Sequence, residues 1–284
     1  MRYYHAVTDT QYARRMIAAV RPRNMLASWA YLRIKRDRGV GFIAHCREHG
    51  VQSVFLDCGA YTAHMMGGEI LLEDYYMGLD LLQPDVYVAL DKIGDPEKSR
   101  QNLAKMLDAG YRPVPVFTKG APWPELRELM QEFGYVAVGG FAGSGAGKRE
   151  MQQQLASVFK TVGQVCDISK GEGKIHGFGI STPETMLKFP FFSTDSSGAV
   201  QTARYGQVVE TKIDGALRQC HVNKQRDSMW DHPHLAGAGA GGGLAFQVRL
   251  NANAEQYEQL GLHVTKVWKA RGLVWGDDGT EVLA

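Results

Sequence analysis

Residues 53–63 read SVFLDCGAYTA. An apolar run leads into Asp57, and small residues and a glycine follow at once. A run of this length suits a buried strand. A carboxylate at the carboxyl end of such a strand is where a (β/α)8 barrel places its chemistry. The same design appears in DVYVALDKIGDP (85–96), which carries Asp91, and in FPFFSTDSSGAV (189–200), which carries Asp195. Asp57 alone reads equally well as a turn or helix-capping residue, whereas the rim position of Asp195 favours function. Asp91 is the less easily explained that way, because Asp95 already caps the next helix. Together they predict three convergent acids able to act as nucleophile, proton shuttle and base-reading acceptor.

Working outward, short apolar segments alternate with helical stretches through the middle of the chain. The pattern predicts strands near Met25–Trp29, Ser53–Asp57, Val86–Asp91, Val114–Phe117, Tyr135–Val138, Ile175–Ile180 and Phe191–Asp195. It predicts helices over Gly41–His49, Leu72–Leu82, Pro96–Ala109, Trp123–Phe133, Lys148–Val162 and Thr182–Lys188. Asp95-Pro96-Glu97 and Thr182-Pro183-Glu184 are helix starts with a capping side chain, proline in the first turn and an acid beside it. Gly110 and Gly134 stop their helices. Seven βα units in order imply an α/β fold, a (β/α)8 TIM barrel, with an eighth strand expected near Tyr205–Val209. Residues 1–284 are read as a single catalytic domain. It opens with a basic N-terminal segment, 1–24, and ends in an extension, 211–284, that is irregular at first. GAGAGGG (237–243) reads as a flexible linker, and a terminal helix about Ala254–Ala270 presents Tyr257, Leu260, Val264, Val267 and Trp268 on one face.

Composition narrows the class. With 44% hydrophobic residues in 284 the chain can bury a large core. It has no apolar run long enough for a membrane span, and its start lacks a signal-peptide core, so a cytoplasmic protein without membrane attachment is expected. Cys46, Cys58, Cys166 and Cys220 have no paired spacing and read as free thiols. The net charge of +2 conceals an asymmetry: residues 1–50 hold ten Lys or Arg against three acids, a local +7 that leaves −5 elsewhere. A basic end suits a polyanion, with a solvated helix face as the structural alternative. Arg33, Lys35 and Arg36 are the candidate phosphate contacts.

Two other motifs weaken on inspection. GFAGSGAGK (140–148) resembles a P-loop, but that pattern needs glycine at 142 and Ser or Thr at 149, where Ala142 and Arg149 stand. A glycine-rich loop whose amides approach a ligand is the better reading. Cys220, His221, His232 and His234 could be gathered round zinc, yet no pair has a structural-site spacing. An exposed polar loop is expected there, with no metal and no cofactor.

The ordered set LDCGAYTA (56–63), VYVALDKIGDP (86–96), VAVGGFAG (136–143), IHGFGIST (175–182) and FFSTDSSGAVQTARYG (191–206) resembles the tRNA-guanine transglycosylase superfamily. It is most similar to the short, phage-type DNA-guanine transglycosylases that place 7-deazaguanines in DNA, and NMLASWAYL (24–32) resembles their opening strand. The likeness covers roughly residues 25–210. It implies a TIM barrel that breaks a guanosine N-glycosidic bond and joins a free 7-deazaguanine, such as preQ0, to the same sugar. By motif, Asp195 would be the nucleophile and Asp57 the acid/base. Asp91 would accept from the N1 and N2 edge of guanine. Gly139 and Gly140 would offer amides to the base oxygen, and Tyr61 and His176 would cover its two faces, with Gly177 beside them. Arg204 would hold a phosphate. If phage-encoded, such a protein would work in a bacterial cytoplasm.

The chain also departs from the family. It lacks the CxCxxC…H zinc pattern of the tRNA enzymes, carries VFTKG (116–120) where they carry VQGG, and has Asp-Ser-Ser at the nucleophile. Missing zinc and short length favour DNA over tRNA as the partner. The same exchange on tRNA is the alternative, and a catalytically silent barrel that binds a nucleobase or nucleic acid is another. Nothing in the sequence fixes the oligomeric state.

Overall fold

Eight parallel strands form one sheet that curls round on itself. The structure is a computed structural model that describes residues 1–140, 147–212, 217–221, 238 and 242–275. The strands are β1 (Arg2–Ala6), β2 (Asn24–Ser28), β3 (Ser53–Asp57), β4 (Val86–Tyr87), β5 (Val116–Thr118), β6 (Tyr135–Gly139), β7 (Lys174–Gly177) and β8 (Ser193–Ser196). Their order in the sheet runs β4-β3-β2-β1-β8-β7-β6-β5. A parallel bridge between Val88 and Val114 joins the two ends, with Val114 N–H donating to Tyr87 O at 2.8 Å and Ala89 N–H to Val114 O at 2.9 Å. The sheet thus closes as a (β/α)8 barrel.

Helices α1 (Gln11–Val20), α2 (Trp29–Leu32), α3 (Arg36–Glu48), α4 (Ala60–Met65), α5 (Leu72–Leu82) and α6 (Pro96–Asp108) accompany the first half of the barrel. The second half carries α7 (Trp123–Phe133), α8 (Lys148–Val162), α9 (Pro183–Lys188), α10 (Gly198–Arg204) and α11 (Gly242–Ala270). Asp95 caps α6 as expected, accepting from Lys98 N–H at 2.9 Å with Pro96 in the first turn, whereas Thr182 makes no cap bond to α9, its hydroxyl donating to Thr185 Oγ1 at 2.7 Å instead; Gly134 ends α7 in the left-handed region.

The barrel interior is layered by the two-residue strand period. Deepest lie Ser53, Tyr135 and Ser193, with Ser53 joined to the Tyr4 hydroxyl at 2.9 Å and Tyr135 to Ser193 at 2.7 Å. Above them sit Phe55 and His176, their rings 4.7 Å apart and both fully buried. The top layer brings Asp57, Asp195 and Gly139 to the carboxyl ends. An aromatic ring buried in this way contributes roughly 1.5–3 kcal/mol.

The eighth barrel strand is β1, not the expected 205–209 segment. RYYHA lacks the aliphatic run that marks a strand, because its inward and outward positions are filled by ring side chains with polar ends. Tyr4 points to the barrel axis, while Tyr3 stacks on Tyr257 and His5 Nε2 bonds Glu258 at 2.9 Å. The later segment instead forms β9 (Gln207–Thr211), which pairs antiparallel with β10 (Leu217–His221) outside the barrel. Asn253 ties it to α11, its Oδ1 accepting from Val209 N–H at 2.8 Å.

Helix α11 is longer than its amphipathic stretch implied and begins at Gly242, so Gly242 and Gly243 of the expected linker are helical. It packs on β1, α1 and α9 and completes the outer ring. Tyr257, Leu260 and Val264 are buried, and Trp268 Nε1–H donates to Met186 O at 2.9 Å. No helix among the described residues is long and apolar enough to cross a membrane.

Candidate active site

The carboxyl ends of β3, β4, β5, β6 and β7 surround a cavity of about 350 Å³, lined among others by Asp57, Tyr61, Asp91, Thr118, Gly139, Gly140, Phe178 and Gly179. That volume lies in the range of small-molecule sites, about 300–1,000 Å³. Its walls are mostly apolar, with two carboxyl groups among them. A second hollow, at the amino ends of the strands beside Asn24 and Glu258, holds only about 80 Å³.

Asp57 closes β3, and its Oδ2 accepts from Gly59 N–H at 3.1 Å. That turn is possible only with glycine. Gly59 has φ +82°, and a Cβ there would stand 2.5 Å from Ala30 Cβ and 2.6 Å from Ala30 N. Burial pushes the Asp57 carboxyl up to about 6; the Ser28 hydroxyl and the Gly59 amide oppose this, while the charges of Asp195 and Asp91 add to it. Ser28 Oγ acts on Asp57 across the β2–β3 ladder without completing a hydrogen bond. Cys58, next to it, is buried, and burial first and the nearby carboxylates second push its thiol well above the usual range.

Asp91 lies just beyond β4. Its Oδ1 accepts from Ser99 Oγ at 2.7 Å and from Thr118 Oγ1 at 3.4 Å. Burial raises its carboxyl above the usual range, and these hydroxyls and the Lys92 amide partly offset the rise. Thr118 comes from the VFTKG segment and supports this acid.

Asp195 belongs to β8. Its Oδ1 accepts from Gly179 N–H at 2.9 Å, and His176 Nε2 stands 3.3 Å from the same oxygen. His176 Nδ1 meets Ser193 Oγ at 2.7 Å, and that oxygen meets Tyr135 OH at 2.7 Å. A buried polar chain therefore runs Tyr135–Ser193–His176–Asp195 from the barrel floor to its rim. The Tyr135 phenol is kept protonated, chiefly by burial, so it can remain a donor.

The structure brings together Asp57, Asp91, Tyr61, Gly139 and Gly140 at one cavity, with Asp195 at its edge through Gly179. His176 does not line that cavity. It is 0% exposed, boxed by Tyr4, Phe55 and Phe178. Phe178 is the second aromatic at the cavity, opposite in sequence role to the exposed Tyr61. Gly177 is also interior; a Cβ there would lie 2.7 Å from the Phe191 ring, so it serves packing. Phe178, Gly179 and Thr118 were passed over in the sequence, although each sits at a barrel strand's carboxyl end, which is the signal that would have found them.

The basic candidates are divided. Arg36 and Arg33 share Asp74, at 2.9 and 3.5 Å, and Trp29 Nε1–H donates to the same carboxylate at 3.2 Å. Lys35 is exposed with no ion pair among the described residues, beside the exposed Tyr31 and Ile34. Arg204 is exposed at the end of α10. Other N-terminal arginines are structural: Arg14 binds Asp9 at 2.7 Å and Arg47 donates to Gln83 O at 2.7 Å. Residues 141–146 of the glycine-rich loop lie outside the described residues, as do His232, His234 and the side chains of Cys220 and His221.

No protein-family model and no curated protein matches the chain. Among solved structures it is similar to 3-dehydroquinate dehydratase from Aquifex aeolicus VF5, with 13% identity over 69% of this chain and 88% of that one and a TM-score of 0.41. It is also similar to tryptophan synthase subunit alpha from Campylobacter jejuni, with 10% identity over 89% and 95% of the two chains and a TM-score of 0.47. Likenesses this distant say nothing of shared chemistry.

Proposed function

We propose that the chain is an enzyme, a DNA-guanine transglycosylase that exchanges guanine in DNA for a free 7-deazaguanine base. The observation that carries the reading is the meeting of Asp57 and Asp91 in one largely apolar cavity at the carboxyl ends of the strands, with Asp195 bound to its lining residue Gly179 at 2.9 Å. N-glycoside cleavage develops positive charge at C1′, which a carboxylate stabilises and then captures, as in retaining glycosidases. Asp195 attacks C1′ and the C1′–N9 bond breaks, leaving an aspartyl-deoxyribosyl ester. Asp57, protonated, gives its proton to the departing guanine. The incoming 7-deazaguanine then loses its N9 proton to Asp57 and attacks C1′, expelling Asp195. Two inversions restore the β-anomer, and Asp57 ends as it began.

A carboxyl that titrates at about 6 suits both halves of this cycle, since neither of its forms is scarce near neutral pH. Asp91, fixed by Ser99 and Thr118, is the acceptor for the N1 and N2 edge of guanine. Tyr61 and Phe178 offer aromatic surface to the base, and the Gly139–Gly140 backbone lets it approach closely. His176, buried under Asp195, is a positioning residue. If Tyr135 donates to Ser193 and Ser193 to His176 Nδ1, the imidazole proton sits on Nε2 and faces Asp195. The target nucleotide must leave the stack, which costs a few kcal/mol in a duplex.

The test is to incubate the protein with guanine-containing DNA in the absence of a second base and record its intact mass after denaturation. A DNA adduct that maps to Asp195 supports the reading. An adduct formed with tRNA alone would favour the same chemistry on RNA. Binding without any adduct, under conditions where guanine release is also absent, would leave a nucleobase-binding barrel.

A further inference from the structure

We propose that His45, Glu48 and His49 form a binding site for one borderline divalent transition-metal ion of the zinc type, at the end of the barrel remote from the cavity. The three residues occupy the last turn of α3 and its C-terminal cap, immediately before β3. They therefore lie at the amino ends of the strands, whereas Asp57 closes β3 at the other end, more than ~13 Å along the strand.

The three side chains stand close enough together for one ion to gather them. One ligand atom from each residue falls within 4.8 Å of the other two, and the imidazole rings stand 4.2 Å apart, tilted by 40°. Histidines four apart on a helix share a face, as in helix-borne zinc motifs. Glu48 is exposed and free to adjust its rotamer, while both rings are half-buried and held.

The hydrogen bonds fix the tautomers. His45 Nε2 meets Arg14 O at 2.8 Å, and His49 Nδ1 meets His45 O at 3.0 Å. A backbone carbonyl only accepts, so each of those nitrogens carries the proton. The lone pairs are left on His45 Nδ1 and His49 Nε2. Metal-bound histidines are oriented in this way, by donating their second nitrogen to a carbonyl or carboxylate. Here the same second-nitrogen bonds to carbonyls exist in the polypeptide itself.

Charge favours a cation. The carbonyl end of α3 carries partial negative charge, and Glu48 adds a full one. The nearest arginines are turned elsewhere: the Arg14 guanidinium binds Asp9 and the carbonyls of Arg38 and Gly41, and Arg47 binds Gln83 O. Two imidazoles and one carboxylate match the donor set of zinc sites that keep water in the fourth position, and not the all-oxygen shells of Ca²⁺ or Mg²⁺. An ion held there would clamp the α3 end, which through the Arg14 carbonyl is joined to α1. Because it would bind the folded chain preferentially, it would raise thermal stability by mass action.

The full chain, stripped with EDTA, is titrated with Zn²⁺ by calorimetry and with Cu²⁺ by electron paramagnetic resonance, alongside His49→Ala and Glu48→Gln. Glu48 is exposed and His49 half-buried, and circular dichroism of the stripped proteins checks that each variant is folded. Expected are one Zn²⁺ site weakened roughly tenfold or more by His49→Ala, a smaller loss in Glu48→Gln, and two-nitrogen coupling to Cu²⁺ that falls to one nitrogen in His49→Ala. Zn²⁺ binding unchanged in His49→Ala, or no binding below millimolar Zn²⁺ in the parent chain, would overturn the assignment.

Discussion

His176 Nε2 lies 3.3 Å from Asp195 Oδ1, and the imidazole is wholly buried beneath the carboxylate it faces. The other ring nitrogen is tied through Ser193 to Tyr135. An acid supported from below in this way has little freedom to turn away from a sugar carbon, and near-attack geometry is a large part of a catalytic rate. Tyr135→Phe removes the outer hydroxyl while keeping the ring. It should lower kcat by roughly tenfold, the worth of about one buried hydrogen bond, with KM nearly unchanged. Equal loss in a His176→Phe variant and in the double variant would mark the chain as one unit. A KM effect with kcat intact would instead show that His176 contacts substrate.

Asp57 gives a pH signature of both activity and stability. In the unfolded chain an aspartate titrates near 3.9, and in the fold Asp57 does so at about 6. Between those values the folded protein holds a proton that the unfolded chain has released, so stability falls as pH rises through the window. The full cost, on the order of 2–3 kcal/mol, is present above pH 6. Asp57→Asn should therefore raise stability in urea at pH 8, change it little below pH 4, and abolish exchange. Guanine release should fall as pH rises above about 6, because that half-reaction uses the protonated acid. A release rate flat from pH 5 to 8 would remove Asp57 from that role.

Gly59 holds the turn that presents Asp57. With φ +82° and Ala30 atoms at 2.5–2.6 Å from the position of a Cβ, Gly59→Ala should cost roughly 2–4 kcal/mol in denaturant unfolding. A cost below about 0.5 kcal/mol, the usual bound for surface changes, would mean that the turn relaxes freely.

Nucleic-acid binding separates Lys35 from its neighbours. Arg33 and Arg36 are held by Asp74, whereas Lys35 is exposed without such a partner among the described residues. Lys35→Ala should weaken DNA binding across sequences and reduce the salt slope by about 1, leaving stability alone. Arg36→Ala should also loosen the α3–α5 contact, by up to about 1 kcal/mol. DNA affinity and salt slope unchanged in Lys35→Ala would place the DNA elsewhere.

The parts of this molecule that were legible in the sequence are those governed by local rules. SVFLD announces β3 to the residue, and Leu72–Leu82, Trp123–Phe133 and Lys148–Val162 coincide with α5, α7 and α8, since the apolar period marks them. β1 escaped because Tyr3, Tyr4 and His5 are buried through tertiary partners, Tyr257, Ser53 and Glu258, which no local pattern announces. The start of α11 escaped because glycines 242 and 243 argue against a helix that packing nonetheless imposes. At the site, the aspartates were legible as strand-end acids. The depth of His176 was not, because strand period tells which side a residue faces but not how far below the rim it lies.

Product analysis decides whether base exchange takes place at Asp195. The protein is mixed with duplex DNA and preQ0, and the DNA is digested and its nucleosides resolved by mass spectrometry. Expected are a 7-deazaguanine deoxynucleoside and free guanine in equal amounts, both lost, by roughly a thousandfold or more, in Asp195→Asn. A product undiminished in Asp195→Asn, or no deoxynucleoside product with any 7-deazaguanine while unmodified tRNA is converted, would contradict it.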